Sequence, residues 1–231
     1  RCLSDWSSDV CSSDLEQDLQ KDITYERIKK LIINGTFPMG KKISERKLEQ
    51  SLKANKAPIR DALKRLQAEG MVVRKAKSGT YVFSLTKKEL LDLLKFRFVI
   101  ESQSVLLSFE ENADKLISET EKILLKMRLA LTLNQGEEYL VQDAIFHETL
   151  VNLCNNSYFM SSFDRISAIM DTARNFLGNN LEHMQKSIIE HQNIATAISE
   201  RNIGRVVELL REHILPEFGA YWKNFNLEDD Q

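Results

Sequence analysis

One aspartate and three histidines are spaced as metal ligands are spaced in a helical protein. Asp143 and His147 stand four residues apart in a stretch whose apolar residues, Leu140, Ala144, Leu150 and Val151, recur at helical period, so both side chains share one face. His191 and His213 each stand eleven positions from Asn202, the expected cap of the last helix. If the helices on either side of Asn202 fold back as an antiparallel hairpin, equal displacements bring both imidazoles to the same height. A carboxylate and three neutral imidazoles converging from three helices suit a divalent transition metal, zinc first, then nickel, manganese or iron, with positions open for water or a small oxyanion. A single histidine on an apolar face is more often a core residue satisfied by its neighbours. The symmetry about Asn202 and the Asp143–His147 pair set this group apart. His183 falls at a loop edge and is not expected in the set.

The elements that must position these residues are helices. Thr86-Lys87-Lys88-Glu89 is a capping-box signature that starts the first of them. Helical period then continues through six segments, approximately 87–111, 114–133, 137–154, 158–177, 183–200 and 203–225, punctuated by Asn112, Asn134-Gln135-Gly136, Asn155-Asn156, Gly178-Asn179-Asn180 and Asn202. No strand pattern interrupts them, so an all-α bundle is expected over 86–231.

Upstream the pattern is different. Ile23, Ile28, Leu31 and Ile32 mark a first helix over Asp22 to Asn34, stopped by Asn34-Gly35. Ser44 is placed to cap a second helix to about Leu52, and Asn55 a third that carries Ile59, Ala62, Leu63 and Leu66 and ends at Gly70. Beyond Gly70 the period changes to alternation, with Met71 and Val73 and then Tyr81 and Phe83 flanking the polar turn Lys75-Ala76-Lys77-Ser78-Gly79. Two short helices joined by a tight turn, followed by a basic hairpin, are the parts of a winged helix-turn-helix over 15–85. Its third helix would enter the major groove of double-stranded DNA, and its wing, with Lys77 and Gly79 at the tip, would touch the sugar-phosphate backbone. For Arg60 the alternative is a solvated helix face held by Asp61 and Glu69. Lys64 and Arg65 suit phosphate contacts or solvent equally.

Charge divides the chain at the same places. Residues 21–88 carry 18 Lys and Arg against 6 Asp and Glu, whereas residues 89–231 carry 13 against 23, although the net charge of the whole is only -2. A basic module on an acidic one points to a polyanion partner for the first half alone. Neither a long apolar run nor a secretory order is found, so no membrane association and a cytoplasmic location are expected. Cys2, Cys11 and Cys154 form no pairing or zinc pattern, and Cys154 reads as a small core residue. Residues 1–14, Ser- and Asp-rich without helical or strand period, are expected to be a non-native leader outside the fold.

The runs Lys42-Ile-Ser-Glu-Arg-Lys-Leu-Glu-Gln-Ser-Leu, Pro58-Ile-Arg-Asp-Ala-Leu-Lys-Arg-Leu-Gln-Ala-Glu-Gly-Met and Lys77-Ser-Gly-Thr-Tyr-Val resemble a GntR-type regulator. The resemblance implies DNA-contacting positions at Arg46, Lys56, Arg60 and Gly79. Where that family usually has Ser-Arg-Thr-Pro-Val-Arg, this chain has Asn55-Lys56-Ala57-Pro58-Ile59-Arg60. Lysine for arginine removes a guanine-reading fork and Ala57 removes a hydroxyl, so the operator preference is expected to differ. Asp143-Ala-Ile-Phe-His147, with Asn156, Glu190-His191 and His213, resembles the FCD ligand-binding domain of the FadR branch over about residues 87–222. That resemblance implies a divalent metal on the four ligands and a small carboxylate effector, with Arg97, Glu101 and Asn156 as effector-side residues. Arg97 has two readings, a clamp for an effector carboxylate or an internal pair with Glu101 one turn away.

The expectation is a homodimeric transcription regulator, a repressor released by its effector. A metal-responsive regulator without an organic effector is the alternative. A metal-dependent hydrolase is disfavoured, because no further residue is placed as a general base and the basic head would have no role.

Overall fold

The computed structural model describes the backbone of residues 8–218 and the side chains of residues 18–218. Residues 1–7 of the expected leader and 219–225 of the expected last helix lie outside the described residues. The chain divides into two compact units between Ser84 and Leu85.

The first unit is ordered α1 (Ser8–Ile33), β1 (Lys42–Ile43), α2 (Glu45–Leu52), α3 (Lys56–Ala68), β2 (Val72–Lys75) and β3 (Gly79–Val82). Helix α1 begins at Ser8, within the stretch expected to lack helical structure, and not at Asp22. Neither proline nor glycine occurs between Ser8 and Asn34, so nothing interrupts propagation backwards from the helix-favouring residues after Asp14. Its inward stripe is Tyr25, Ile28 and Ile32, packed on α3, whereas Ile23 is 42% exposed. Ile23 was expected inside, but it lies off the stripe that Tyr25 completes.

Ser44 caps α2 as expected, its hydroxyl accepting from Lys47 N at 3.3 Å. Asn55 holds the extended N-cap backbone of α3, but its side chain makes no capping bond. The sheet has three antiparallel strands in the order β1-β3-β2, and the two-residue β1 is too short to show an alternation in sequence. Val72 pairs with Val82 on the inner face while Val73 opposite Tyr81 faces outward, which reverses the alternation expected for Val73 and Tyr81. Met71 precedes the strand and is buried from the turn, so it does not set the strand's phase.

The second unit is helical throughout its described residues: α4 (Lys87–Thr132), α5 (Gly136–Asn152), α6 (Ser157–Gly178), α7 (Leu181–Ser199), α8 (Ile203–Ile214) and a 3-10 turn at Pro216–Phe218. The Thr86 capping box forms in both directions, with Glu89 N donating to the hydroxyl at 3.2 Å and the Glu89 carboxylate accepting from Thr86 N at 2.8 Å. Two helices expected on either side of Asn112 are one helix kinked there: Asn112 leaves helical geometry (φ -143, ψ 35), and its amide donates to Leu153 O at 2.9 Å. The other asparagines act as the punctuation suggests. Asn134 and Asn155 adopt left-handed backbone at helix ends, while Asn156, Asn180 and Asn202 cap α6, α7 and α8. The last helix stops at Ile214 instead of running to 225, because Pro216 forces Leu215 into extended backbone (φ -96, ψ 125).

Helix α4 is the spine of this unit, packing on α5, α7 and α8. Leu94, Val105, Leu116 and Met127 from α4 meet Phe146 and Leu150 from α5, Ile194 and Ile198 from α7 and Leu210 and Ile214 from α8, all sealed from solvent. Cys154 is buried, its Sγ 3.8 Å from Asn156 O.

Candidate functional site

Among the described residues, His147, His191 and His213 form a group able to hold a metal ion. The hairpin at Asn202 brings α7 and α8 side by side, and α5 packs on the same spine, so three imidazoles reach one point. His147 Nε2 lies 3.1 Å from His191 Nε2 and 3.2 Å from His213 Nε2. Nitrogens about 2.0–2.1 Å from a shared zinc ion in tetrahedral geometry would stand about 3.3 Å apart, close to these distances.

Each ring has its other nitrogen tied down. His147 Nδ1 lies 2.8 Å from Glu101 Oε2, His191 Nδ1 2.7 Å from Ser187 O and His213 Nδ1 2.7 Å from Glu190 Oε2. An acceptor at Nδ1 fixes the proton there and leaves the Nε2 lone pair facing the common point, as metal-ligating histidines require. Burial, reinforced by the charge of Arg97, holds His147 well below the ordinary imidazole range, and burial pushes His191 down to about 4. Both rings are therefore neutral at pH 7, the ligating form.

Asp143 joins the group at its edge, Oδ1 lying 3.3 Å from His191 Nε2. Its other oxygen is 2.8 Å from Arg174 Nε. Burial would raise this carboxyl, but Arg174 and the imidazoles prevail and hold it below the usual range. Arg174 was not singled out in the sequence. It is 4% exposed and also bonds Asp171 Oδ1 at 3.1 Å through Nη1. Nothing in the period of α6 marks it, since an arginine on a helix is ordinarily a surface residue.

Arg97 is 1% exposed, and its Nε donates to Glu101 Oε1 at 2.5 Å. The internal pair exists, and it does not use the whole guanidinium: Nη2 is buried without a hydrogen-bond partner among the described residues. Arg97, Asp143, Arg174, His183, Ser187, Glu190 and His213 line one cavity of about 10 Å³, room for a single water-sized body. His183, left out of the expected set, borders this cavity, and burial pushes it down to about 4. Asn156 stands apart from the group. Its Oδ1 accepts from Tyr158 N at 3.0 Å to cap α6.

In the first unit, Arg46, Asn55, Lys56, Ala57, Arg60 and Lys77 are all exposed. Arg60 is held by Glu45, Nε to Oε2 at 3.1 Å, and not by Asp61 or Glu69; Glu69 instead accepts from Tyr25 at 2.6 Å. A cleft of about 180 Å³ bounded by Glu45, Arg60, Lys64, Gln67, Arg74 and Thr80 brings α2, α3 and the hairpin together on one basic face. Arg74, the strand residue of this face, was missed because an exposed arginine in a strand carries no distinguishing signal. At the hairpin tip Lys77 is left-handed (φ +57) and Gly79 has φ +120, and Lys42 Cε lies 2.9 Å from where a Gly79 Cβ would stand.

The model of the gntR family of bacterial regulatory proteins matches residues 20–82, and that of the FCD domain matches residues 92–215. The chain is 28% identical over 187 residues to the gluconate operon transcriptional repressor of Bacillus licheniformis, covering 79% of this chain and 76% of that protein. It is 28% identical over 190 residues to the Nta operon transcriptional regulator of Aminobacter aminovorans, covering 81% and 88%. The crystal structure of a GntR transcriptional regulator from Rhodococcus sp. RHA1 superposes with a TM-score of 0.73 at 17% identity, over 84% of this chain and 93% of that one. The matched families and these relatives are transcription regulators and not enzymes.

Proposed function

From the premise that this chain belongs to the GntR family, carries an FCD domain and is a DNA-binding transcription regulator, we propose that it is a homodimeric repressor whose operator affinity responds to a metal-assisted carboxylate effector. The observation that carries the effector part is the convergence of three imidazole Nε2 atoms, each ring oriented by an acceptor at Nδ1, beside a buried arginine with an unbonded nitrogen. His147, His191 and His213, with Asp143 at the edge, would hold a divalent metal, zinc first. The metal would supply a Lewis-acidic position for one end of a carboxylate, and Arg97 would take an oxygen of the same group. The relative that represses a gluconate operon is named for a sugar acid, which fits an effector of this class.

On the DNA side, Arg46, Lys56, Arg60 and Lys77 are exposed cations on the helices and hairpin that this reading lays on the duplex. Asn55 and Ala57 flank Lys56 at the start of α3, and Gly79 permits the hairpin tip to approach the backbone. One observation favours a second reading, a metal-responsive regulator without an organic effector: the cavity of about 10 Å³ has room for an ion or a water but not for a sugar acid unless the helices part.

The test is binding of a labelled fragment of the DNA flanking the chain's own gene, at fixed salt, with and without zinc and candidate carboxylates. Tight binding resistant to competitor DNA, lost in Arg46→Ala and Arg60→Ala and weakened by zinc plus a carboxylate, is the expected result. Release by zinc alone would select the second reading. Metal retention by His147→Ala and His213→Ala equal to wild type would remove the metal centre.

A further inference from the structure

Glu101 stands between two parts of the buried site. Its Oε1 accepts from Arg97 Nε at 2.5 Å and its Oε2 from His147 Nδ1 at 2.8 Å, and no member of the trio is more than 1% exposed. Groups sealed from solvent cannot exchange a weakened partner for water, so a change at one of these bonds is felt at the other. Only a carboxylate suits the position. An amide offers one oxygen and one NH2 group, so it would accept from one neighbour and set a donor against the other. Arg97 Nη2, which takes no part in this bond, is buried without an acceptor among the described residues, and Arg97 lines the same small cavity as Asp143 and His213. A buried guanidinium nitrogen with no acceptor can take an oxygen of a small anion, which the cavity of about 10 Å³ admits beside a metal only when the helices part.

We propose that Glu101 couples the two occupants of this site, so that a small carboxylate on Arg97 and a divalent metal on His147, His191 and His213 each tighten the binding of the other through their shared acceptor. The coupling rests on the metal-centre reading above. Its sign follows from charge. When His147 Nε2 gives its lone pair to a metal, the Nδ1–H becomes a stronger donor and draws the Glu101 charge toward the ring. Arg97 is then less fully compensated, and its positive charge is offered to the anion. Linkage requires the reverse effect to be equal in size. Glu101 touches neither occupant and is a positioning residue for both.

The experiment is a zinc titration of the full chain against a chromophoric chelator, with and without acetate, on wild type, Glu101→Gln and Arg97→Lys. Circular dichroism and thermal unfolding first establish that each variant folds. Acetate is expected to tighten zinc binding by wild type about tenfold. Glu101→Gln should bind zinc about tenfold or more weakly, and acetate should tighten that binding clearly less than it does in wild type, only the direct contact of acetate with the metal remaining. Arg97→Lys keeps a cation for Glu101 but has no second nitrogen for the anion, so it should bind zinc nearly as wild type does and ignore acetate. If Glu101→Gln does not fold, Glu101→Asp, whose shorter side chain cannot reach both Arg97 and His147, is read in its place with the same expected loss. An acetate effect of full size in a folded variant would overturn the coupling. Wild type that binds zinc but is indifferent to acetate would overturn it too, leaving the metal centre standing. Wild type that binds no zinc would remove the metal centre and the coupling together.

Discussion

In the first unit Arg46, Lys56, Arg60 and Lys77 are all exposed to water, Arg60 even within its pair with Glu45, whereas in the second Arg97 and Arg174 are 1% and 4% exposed and each is bonded to a carboxylate sealed in with it. The same side chain does different work in the two settings. An exposed arginine is screened by salt and costs little to leave unpaired, so a face of them suits a long polyanion bound through many weak contacts. A sealed arginine must be compensated within the protein or by a ligand, so a few buried residues suffice to recognise one small anion. Substitutions should therefore be felt as lost stability in the second unit and as lost DNA affinity in the first.

Glu101→Ala is the largest expected break in this contrast. It leaves Arg97 buried without its Nε acceptor and His147 without its orienting partner, and should cost about 3–5 kcal/mol in urea denaturation. An effect below about 1 kcal/mol would mean that the buried charges behave like surface ones.

The pH dependence follows from the buried imidazoles. His147 and His191 are neutral in the fold, the latter down to about 4, but protonate below about 6.5 once unfolded. The unfolded chain then binds more protons, so metal-free protein should hold its full stability above pH 6.5 and lose a few kcal/mol as pH falls from about 6.5 toward 4. The urea midpoint followed across that range measures this, and His191→Asn should flatten the slope.

In the first unit Arg60→Ala should leave the unfolding free energy from urea denaturation within about 0.5 kcal/mol of wild type, because the side chain is 60% exposed, while weakening operator binding by about 1–3 kcal/mol. Lys77→Ala should do least. It should weaken binding to all sequences alike and reduce the slope of log affinity against log salt by about 0.9, measured by fluorescence anisotropy at several salt concentrations. A change in sequence preference instead would assign Lys77 to base contact.

Much of both units is legible along the chain because the signals are local. A serine, threonine or asparagine that caps a helix acts within three residues, which is why Ser44, Thr86 and Asn202 mark helix starts without knowledge of the rest. The eleven-residue displacements of His191 and His213 from Asn202 are local in the same sense, since a helical hairpin converts equal spacing into equal height. Locality also explains the errors. The face of a strand depends on what lies beneath it, so Val73 and Tyr81 were expected on the wrong side, and a helix without a breaker runs past its expected start, as α1 does to Ser8.

The sequence by itself determined the order of the elements, the winged head, the helical body, the opposite charges of the two and the three histidines. Only the tertiary structure decided what each polar residue does. It put Glu101 between Arg97 and His147, brought Arg174 from α6 against Asp143, placed Glu190 under His213, paired Arg60 with Glu45 and kept Asn156 as a cap. The physical reason is distance along the chain: helix period, capping and a pair one turn apart such as Arg97–Glu101 act over a few residues, whereas the partners of His147, Asp143 and His213 come from helices tens of residues apart, and packing alone selects among them.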